Sequence, residues 1–255
     1  CPAKTFFLFY LIPHASKTIP KEYRTQFLLS DTELEAELLL MTDSYTDELY
    51  CHPQASIAHF PLSRLLVDVE RFSDDAQEPM SQVGMGMVYT KTAAGRLLRR
   101  HLSEQERHEL VNSYHAHHIR LQELVKNELD ESGQALIVDC HSFPNVPLKC
   151  HFDRSPDRPD ICIGTDEFHT PTNLLQSAKN AFEDTSLRIG INTPYAGALV
   201  PLLFYRKDPR VMSIMIEINR KLYMDSTTGD KRDAFGGIQK AVSSVLDVLH
   251  RFMGN

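Results

Sequence analysis

Several runs of apolar residues along the chain have the length and composition of buried β-strands. The first covers residues 6–14 and reads FFLFYLIPH, and others follow at residues 63–72, 134–143, 160–166 and 211–223. Nearly continuous apolar residues are typical of strands that are covered on both faces of a sheet. The pattern therefore predicts a sheet with fully buried strands, of which the first is residues 6–14 rather than a signal peptide.

Segments with an apolar residue every three or four positions separate these runs and predict helices. Residues 30–51 begin at Ser30 or Asp31, which can cap a helix N-terminus, and residues 103–133 end at Gly133, which favours a helix C-terminus. Two further helices are predicted over residues 171–185 and 233–253. Helices that alternate with buried strands indicate an α/β fold, with a largely parallel or mixed sheet covered on both faces.

Composition narrows the class of protein. The 255 residues suffice for one large domain, which we expect to span residues 1–255, and the formal net charge of -7 disfavours a nucleic-acid partner. No apolar run approaches the ~20 residues needed to cross a bilayer, so no membrane partner is expected. Five cysteines at irregular spacing favour free thiols in a reducing, cytoplasmic environment over a disulfide framework.

Polar residues collect where the predicted strands end. The first run ends at His14, the second carries Asp68 and Arg71, and the third ends in Asp139 and His141; Asp160 and Glu217 belong to the last two. In open α/β sheets, ligands bind beyond the carboxyl ends of the strands. Imidazole and carboxylate ligands with one position left for water are typical of a catalytic zinc.

Each of these residues also has a purely structural interpretation. One histidine after a strand is more often a hydrogen-bonded structural residue, but two histidines on two strands favour the metal. Asp139 can orient an imidazole or cap a loop, and Arg71 can pair with Asp68 or bind a substrate carboxylate. Asp43 and Asp47, four residues apart on a predicted helix, fit a solvated face, and His118 fits a surface position.

Other chemistries fit the sequence less well. Neither a G-x-S-x-G elbow, nor a glycine-rich phosphate loop, nor an H-E-x-x-H helix occurs. Cys140 is adjacent to His141, but neighbouring residues of a strand point to opposite faces. A cysteine nucleophile served by this histidine is therefore disfavoured.

An ordered set of motifs resembles the N-formylglutamate amidohydrolase family over nearly the whole chain. The motifs are IPHAS, TDSYTDELY, VDVER, GMGMVYT, YHAHHIRL, VDCHSF, DICIGT, NTPYAGA and MIEINRKLYMD. The family is related to the zinc carboxypeptidases, so the resemblance implies a phosphorylase/hydrolase-like three-layer αβα sandwich with a mixed, largely parallel sheet.

The resemblance also implies roles for individual residues. His14, His141 and Asp43 would bind one Zn²⁺, with Asp47 as the alternative carboxylate, and Glu217 would be the base that activates a water at the zinc. Arg71 would hold the substrate carboxylate, and Arg71 or His118 would help to stabilise the oxyanion. The substrate-binding wall would include Tyr195, Gly197 and Asn192. Asp139 and Asp68 would orient the metal-binding histidines.

The implied activity is zinc-dependent hydrolysis of the N-acyl amide of an acidic amino acid such as N-formyl-L-glutamate, a small-molecule acyl-amino acid. The chain departs from the family pattern at Ser16 and Glu70, where Gly and Asn are common, and in YAGA, which is less glycine-rich. An acid beside Arg71 could change the substrate charge that is preferred. Hydrolysis of another acyl-amino acid or peptide, and a binding module without turnover, are the alternatives.

Overall fold

The structure, a computed structural model, describes residues 8–53, 55–183 and 185–254. The strands are β1 (Leu8–Ile12), β2 (Ala55–His59), β3 (Ala135–Phe143), β4 (Ile161–Gly164), β5 (Ile189–Ile191) and β6 (Val211–Asn219). The helices are α1 (Asp31–Met41), α2 (Thr46–Leu49), α3 (Glu104–Ser132), α4 (Thr172–Glu183) and α5 (Phe235–Met253).

The strands form one six-stranded mixed sheet in the order β2-β1-β3-β6-β4-β5. Strands β2, β1, β3 and β6 are parallel, whereas β4 runs antiparallel to β6 and parallel to β5. The carboxyl ends of β1, β3 and β6 therefore meet at one edge of the sheet. This edge is where the sequence places His14, His141 and Glu217.

Helices cover both faces of the sheet, so the three-layer sandwich is confirmed. Along β3, Leu136 and Val138 join the buried cluster that includes α4 and α5. The alternate residues Ala135 and Ile137 join the opposite cluster, which includes Leu121, Val125 and Leu129 of α3. The period-two alternation of a strand thus supplies both cores at once.

A third core lies outside the sandwich. It joins α1 and the start of α3 to the irregular segment, which we define as residues 60–103, between β2 and α3. Leu65, Leu66, Val67 and Val69 are all fully buried in this core. The apolar run over residues 63–72 is therefore buried, but the prediction of a strand there is wrong.

Side chains replace the missing sheet partners of this run. The guanidinium of Arg99 donates to the carbonyls of Leu65 and of Leu66, the latter at 3.1 Å. Buried backbone groups must be paired, and a side-chain donor meets that need without a neighbouring strand. Apolar sequence indicated burial here, but it did not indicate that a side chain distant in sequence would pair with this backbone.

Two other predictions need correction. The helix predicted over residues 30–51 is capped by Ser30, which forms a capping box with Glu33, but α1 ends at Met41 because the backbone of Thr42 is extended. The next helix, α2, begins only after Tyr45, which has a left-handed backbone (φ 67°). The short edge strands β2 and β5 have no fully buried apolar run, so the pattern did not predict them. Residues 6 and 7 of the first predicted strand lie outside the described residues.

Within the described residues, no helix has the length and apolar character needed to cross a bilayer. The described cysteines, Cys51, Cys140, Cys150 and Cys162, are free thiols, as expected.

Candidate active site

The parallel register of β3 and β6 sets His141 directly beside Glu217. Both side chains are buried, and both line a cavity of about 840 Å³ that also contains His14 and Asp43. His14 follows β1, the strand on the other side of β3. Three neighbouring strands thus deliver two imidazoles and a carboxyl group to one site.

A carboxylate holds each of the two histidines by the same ring nitrogen. His14 Nε2 donates to Asp68 Oδ1 at 2.9 Å, and His141 Nε2 donates to Asp139 Oδ1 at 2.9 Å. Carboxylates of this kind fix the orientation of metal-binding imidazoles. With both Nε2 atoms engaged in this way, an ion would bind the two Nδ1 atoms, and His141 Nδ1 would exchange its hydrogen bond to Asp43 Oδ2 for that ion.

Asp43 lies between these two Nδ1 atoms. Its Oδ2 atom is 3.8 Å from His14 Nδ1 and 3.1 Å from His141 Nδ1. Burial alone would raise the pKa of Asp43, but the hydrogen bond from His141 and the charge of Arg220 outweigh it and hold the pKa well below its usual range. Asp43 is therefore ionised, as a metal ligand must be.

Local structure explains why Asp43 rather than Asp47 reaches the site. Asp43 lies between α1 and α2, where its backbone N–H donates to the carbonyl of His14 at 3.0 Å and Arg220 Nη2 donates to Oδ1 at 2.7 Å. Asp47 lies in α2 and is exposed. The two aspartates do not share a helix face, because the helix is interrupted between them.

Glu70 is a second carboxylate beside the histidines. Its Oε2 atom is 3.0 Å from His141 Nε2 and 3.8 Å from His14 Nδ1. The potential ligand atoms of His14, Glu70 and His141 all lie within 4.8 Å of one another, a geometry that could hold a metal ion. The sequence singled out Glu70 only as a neighbour of Arg71, so its position next to the histidines was missed.

The donor set fits a divalent cation. His14 Nδ1 is buried and finds no hydrogen-bond partner among the described residues, although its ring is fixed from the other side by Asp68. A buried nitrogen without a partner is costly unless something binds it. Two imidazoles and a carboxylate, either Asp43 or Glu70, are the usual ligand types of zinc.

Glu217 has the properties of a proton acceptor that works near neutral pH. Burial is the main cause that raises its pKa to about 7, and His141 opposes the shift. Its buried Oε2 atom lacks a hydrogen-bond partner in the described part of the chain. A carboxyl group with such a pKa can take up and release a proton at physiological pH.

Asp68 binds the side chains of several other residues of the irregular segment. Its Oδ2 atom accepts hydrogen bonds from Arg64 Nη2 at 2.9 Å and from the Tyr89 hydroxyl at 2.7 Å. Arg71 Nε lies 3.7 Å from the same oxygen, and Arg71 lines the cavity. Arg64 and Tyr89 were not predicted. The spacing of Arg64 and Asp68, four residues apart, was the one signal that could have suggested the pair.

Comparison with known proteins identifies the family of this chain. The family model of the N-formylglutamate amidohydrolases matches residues 7–224. The chain belongs to the N-formylglutamate amidohydrolase family. No curated protein sequence matches the chain.

Two solved structures resemble this member of the family. The crystal structure of N-formylglutamate amidohydrolase from Ralstonia eutropha JMP134 is 20% identical, with 99% of this chain and 94% of that chain covered at a TM-score of 0.83. A gene product of Agrobacterium tumefaciens is 22% identical, with 99% of this chain and 90% of that chain covered at a TM-score of 0.64. Similarity at this level of identity establishes the fold.

The remaining residues that the family resemblance singled out have different positions. His118 lines the cavity and donates from Nε2 to the backbone carbonyl of Val69 at 2.8 Å. Tyr195 and Gly197 also line the cavity, and the Tyr195 hydroxyl accepts from Arg158 Nη1 at 3.0 Å. Asn192 is absent from the described residues that line the cavity, since its side-chain amide donates to Thr165 Oγ1 at 2.8 Å.

Two residues near the ends of strands point away from the chemistry. Cys140 is fully buried in the core on the other face of β3, and burial raises the pKa of its thiol well above the usual value. Asp160 precedes β4 and pairs with Lys221 at 2.9 Å outside the cavity lining. Arg220 and Arg158, by contrast, contact site residues and were missed, because their partners are far away in sequence.

Proposed function

We propose that this protein hydrolyses the amide bond of an N-acyl amino acid with the help of one bound Zn²⁺. The observation that carries the proposal is the register of β3 and β6, which sets the carboxyl group of Glu217 beside His141, one of the residues that could hold a metal ion. Family membership points to N-formyl-L-glutamate as the first substrate to test.

His14, His141 and Asp43 would hold the ion, with Glu70 as the alternative carboxylate. Zinc in such a site polarises a carbonyl group and lowers the pKa of a water. Asp68 and Asp139 fix the two imidazole rings by accepting hydrogen bonds from the Nε2 atoms of His14 and His141. The residues around the ion would then hold the transferred proton and the charged groups of the substrate.

Glu217 would accept a proton from the attacking water and deliver it to the leaving amine. Its pKa of about 7 suits both transfers at neutral pH. Arg71, at the wall of the cavity, would hold the substrate carboxylate, and Arg71 or His118 would help to stabilise the oxyanion that forms on the amide carbonyl. The products are a free amino acid and the acid of the acyl group.

The decisive test is the Glu217→Gln variant. Loss of a general base costs roughly 10²- to 10⁴-fold in turnover, while the zinc content should stay near one ion per chain. Asp160→Asn, at the same edge of the sheet but outside the cavity, is the matched control and should keep its activity. Near-normal turnover in Glu217→Gln would refute the role of the base.

Metal content tests the other half of the proposal. Elemental analysis of the purified protein should find about one zinc, and the content should fall in His14→Ala and His141→Ala. A metal-free protein that is fully active would defeat the scheme. Zinc binding without turnover of any acyl-amino acid would point to a binding module.

A further inference from the structure

The cavity extends well beyond the polar group at its base. Besides the histidines and carboxylates, residues from several separate parts of the chain line its 840 Å³. Much of this lining is apolar, including Met85 of the irregular segment, Leu148 of the loop after β3 and Met215 of β6. A formyl group and a short acidic side chain do not need an apolar surface of this kind.

Large apolar side chains surround the opening of the cavity. Phe72, Ile119, Phe152 and Leu202 line it, and they are 49%, 56%, 65% and 70% exposed. We call these four residues the apolar mouth. They come from the irregular segment, from α3, from the loop after β3 and from the segment before β6. Exposed apolar groups that converge from separate segments on one cavity mark a ligand surface.

The charges in the lining do not suit a dicarboxylate. Among the described residues that line the cavity there is no lysine, and the arginines are Arg64, Arg71 and Arg220. Arg64 is bound by Asp68 and Tyr89, and Arg220 by Asp43 and Ser142. Arg71 can serve one carboxylate of a substrate. A second carboxylate would meet cations that are already paired.

Glu70 supplies no cation for a second carboxylate either. It lies beside Arg71 in sequence, and its Oε2 atom is 3.0 Å from His141 Nε2, at the base of the cavity.

We propose that the site takes N-acyl amino acids with one carboxylate and a bulky apolar group, in preference to N-formyl-L-glutamate. The apolar group would pack on the apolar mouth and could belong either to the amino-acid side chain or to the acyl chain. This inference rests on the proposed amide hydrolysis and adds to it a preference for an apolar group.

A substrate panel tests the preference and its source. The zinc-supplied protein is assayed with N-formyl-L-glutamate, with N-formyl-L-phenylalanine and with N-octanoylglycine. At least one apolar substrate should exceed N-formyl-L-glutamate by roughly tenfold or more in kcat/KM, because an apolar pocket discriminates by at least that much per missing group. The phenylalanine and octanoyl compounds distinguish a side-chain pocket from an acyl pocket. Equal or faster turnover of N-formyl-L-glutamate overturns the inference.

Variants of the mouth locate the effect. Phe152→Ser and Leu202→Ser should raise KM for the preferred apolar substrate several-fold, and by a larger factor than for N-formyl-L-glutamate. Val146→Ser is the matched control, since Val146 is 71% exposed but does not line the cavity. Mouth variants that behave like Val146→Ser contradict the assignment.

Binding keeps the inference testable if turnover fails. Calorimetry with the Glu217→Gln variant compares the affinity for N-formyl-L-phenylalanine and N-octanoylglycine with that for N-formyl-L-glutamate. Tighter binding of an apolar compound supports the inference even where no amide is cleaved, a result that would defeat only the proposed hydrolysis. Equal or tighter binding of N-formyl-L-glutamate overturns it.

Discussion

Asp139 and Asp68 do the same work from two differently built regions of the molecule. Each accepts a hydrogen bond from a histidine Nε2 at 2.9 Å. Asp139 belongs to β3, whose place is set by ladders to β1 and β6. Asp68 belongs to the irregular segment, which has its own apolar core and carries the second half of the site.

The two regions hold their polar residues by different forces. At the sheet edge, backbone pairing sets the position of His141 relative to Glu217. In the irregular segment, buried cations and hydroxyls do so: Arg64 and Tyr89 bind Asp68, and Arg99 binds the carbonyls of Leu65 and Leu66. Charge substitutions should therefore be felt more strongly in the irregular segment than on the sheet.

The pair Asp68→Asn and Asp139→Asn tests this difference most directly. Asp68→Asn should lower the free energy of unfolding by about 3–5 kcal/mol, the range for a broken buried ion pair, because Arg64 loses its hydrogen-bonded counter-charge and keeps only Asp43 at 3.9 Å. Asp139→Asn should cost less, since it leaves no buried arginine unpaired. Urea unfolding measures both. Equal losses would show that the two regions are held alike.

Metal affinity shows which region supplies the carboxylate ligand. Asp43→Asn should weaken zinc binding by about 100-fold or more, beyond the usual effect of residues that only orient a ligand, and Glu70→Gln should weaken it less. Competition with a chromophoric chelator measures both, and the exposed Asp47→Asn is the control. A larger loss in Glu70→Gln would identify Glu70, in the irregular segment, as the carboxylate ligand.

His117 should make the packing of α3 on the irregular segment sensitive to pH. It lies on α3 against Phe60, with ring centroids 5.2 Å apart. Burial, with a smaller effect from His118, lowers its pKa from 6.5 to about 3. The unfolded chain therefore binds this proton at a higher pH than the folded protein, and stability is lost as the pH falls below 6.5.

The matching measurement is the free energy of unfolding at pH 7 and pH 5. His117 should account for a loss of about 2 kcal/mol between these values, by the linkage of proton binding to folding. His117→Gln should remove that part of the pH dependence. His108→Gln, on an exposed position of the same helix, serves as the control. An unchanged slope in His117→Gln would contradict the assignment.

The smallest effect should be local and equal at two helix starts. Ser30 caps α1 and Ser103 caps α3, and each forms a capping box with a glutamate three residues on. Both helix starts pack in the core of the irregular segment. Ser30→Ala and Ser103→Ala should each cost about 1 kcal/mol of unfolding free energy, because capping is local. Thermal unfolding checks this, and a much larger loss in one variant would reveal a tertiary role.

Local patterns were sufficient for the central strands of the sheet and for half of the site. The buried strands β1, β3 and β6 and the helix α3 follow from apolar periodicity, which depends only on near neighbours in sequence. His14, His141 and Glu217 then follow from the rule that parallel strands end at one edge. The place of Cys140, on the opposite face of β3, follows from the alternation of side chains along a strand.

Only the tertiary structure decided the rest. The interruption after α1 separates Asp43 from Asp47, and Arg220, 177 residues away in sequence, binds Asp43. Glu70 and Arg64 reach the cavity because an apolar run that resembled a strand is held in an irregular form by Arg99. Periodicity carries no information about such long-range charge pairs, since a buried ion pair depends on where the two chain segments meet.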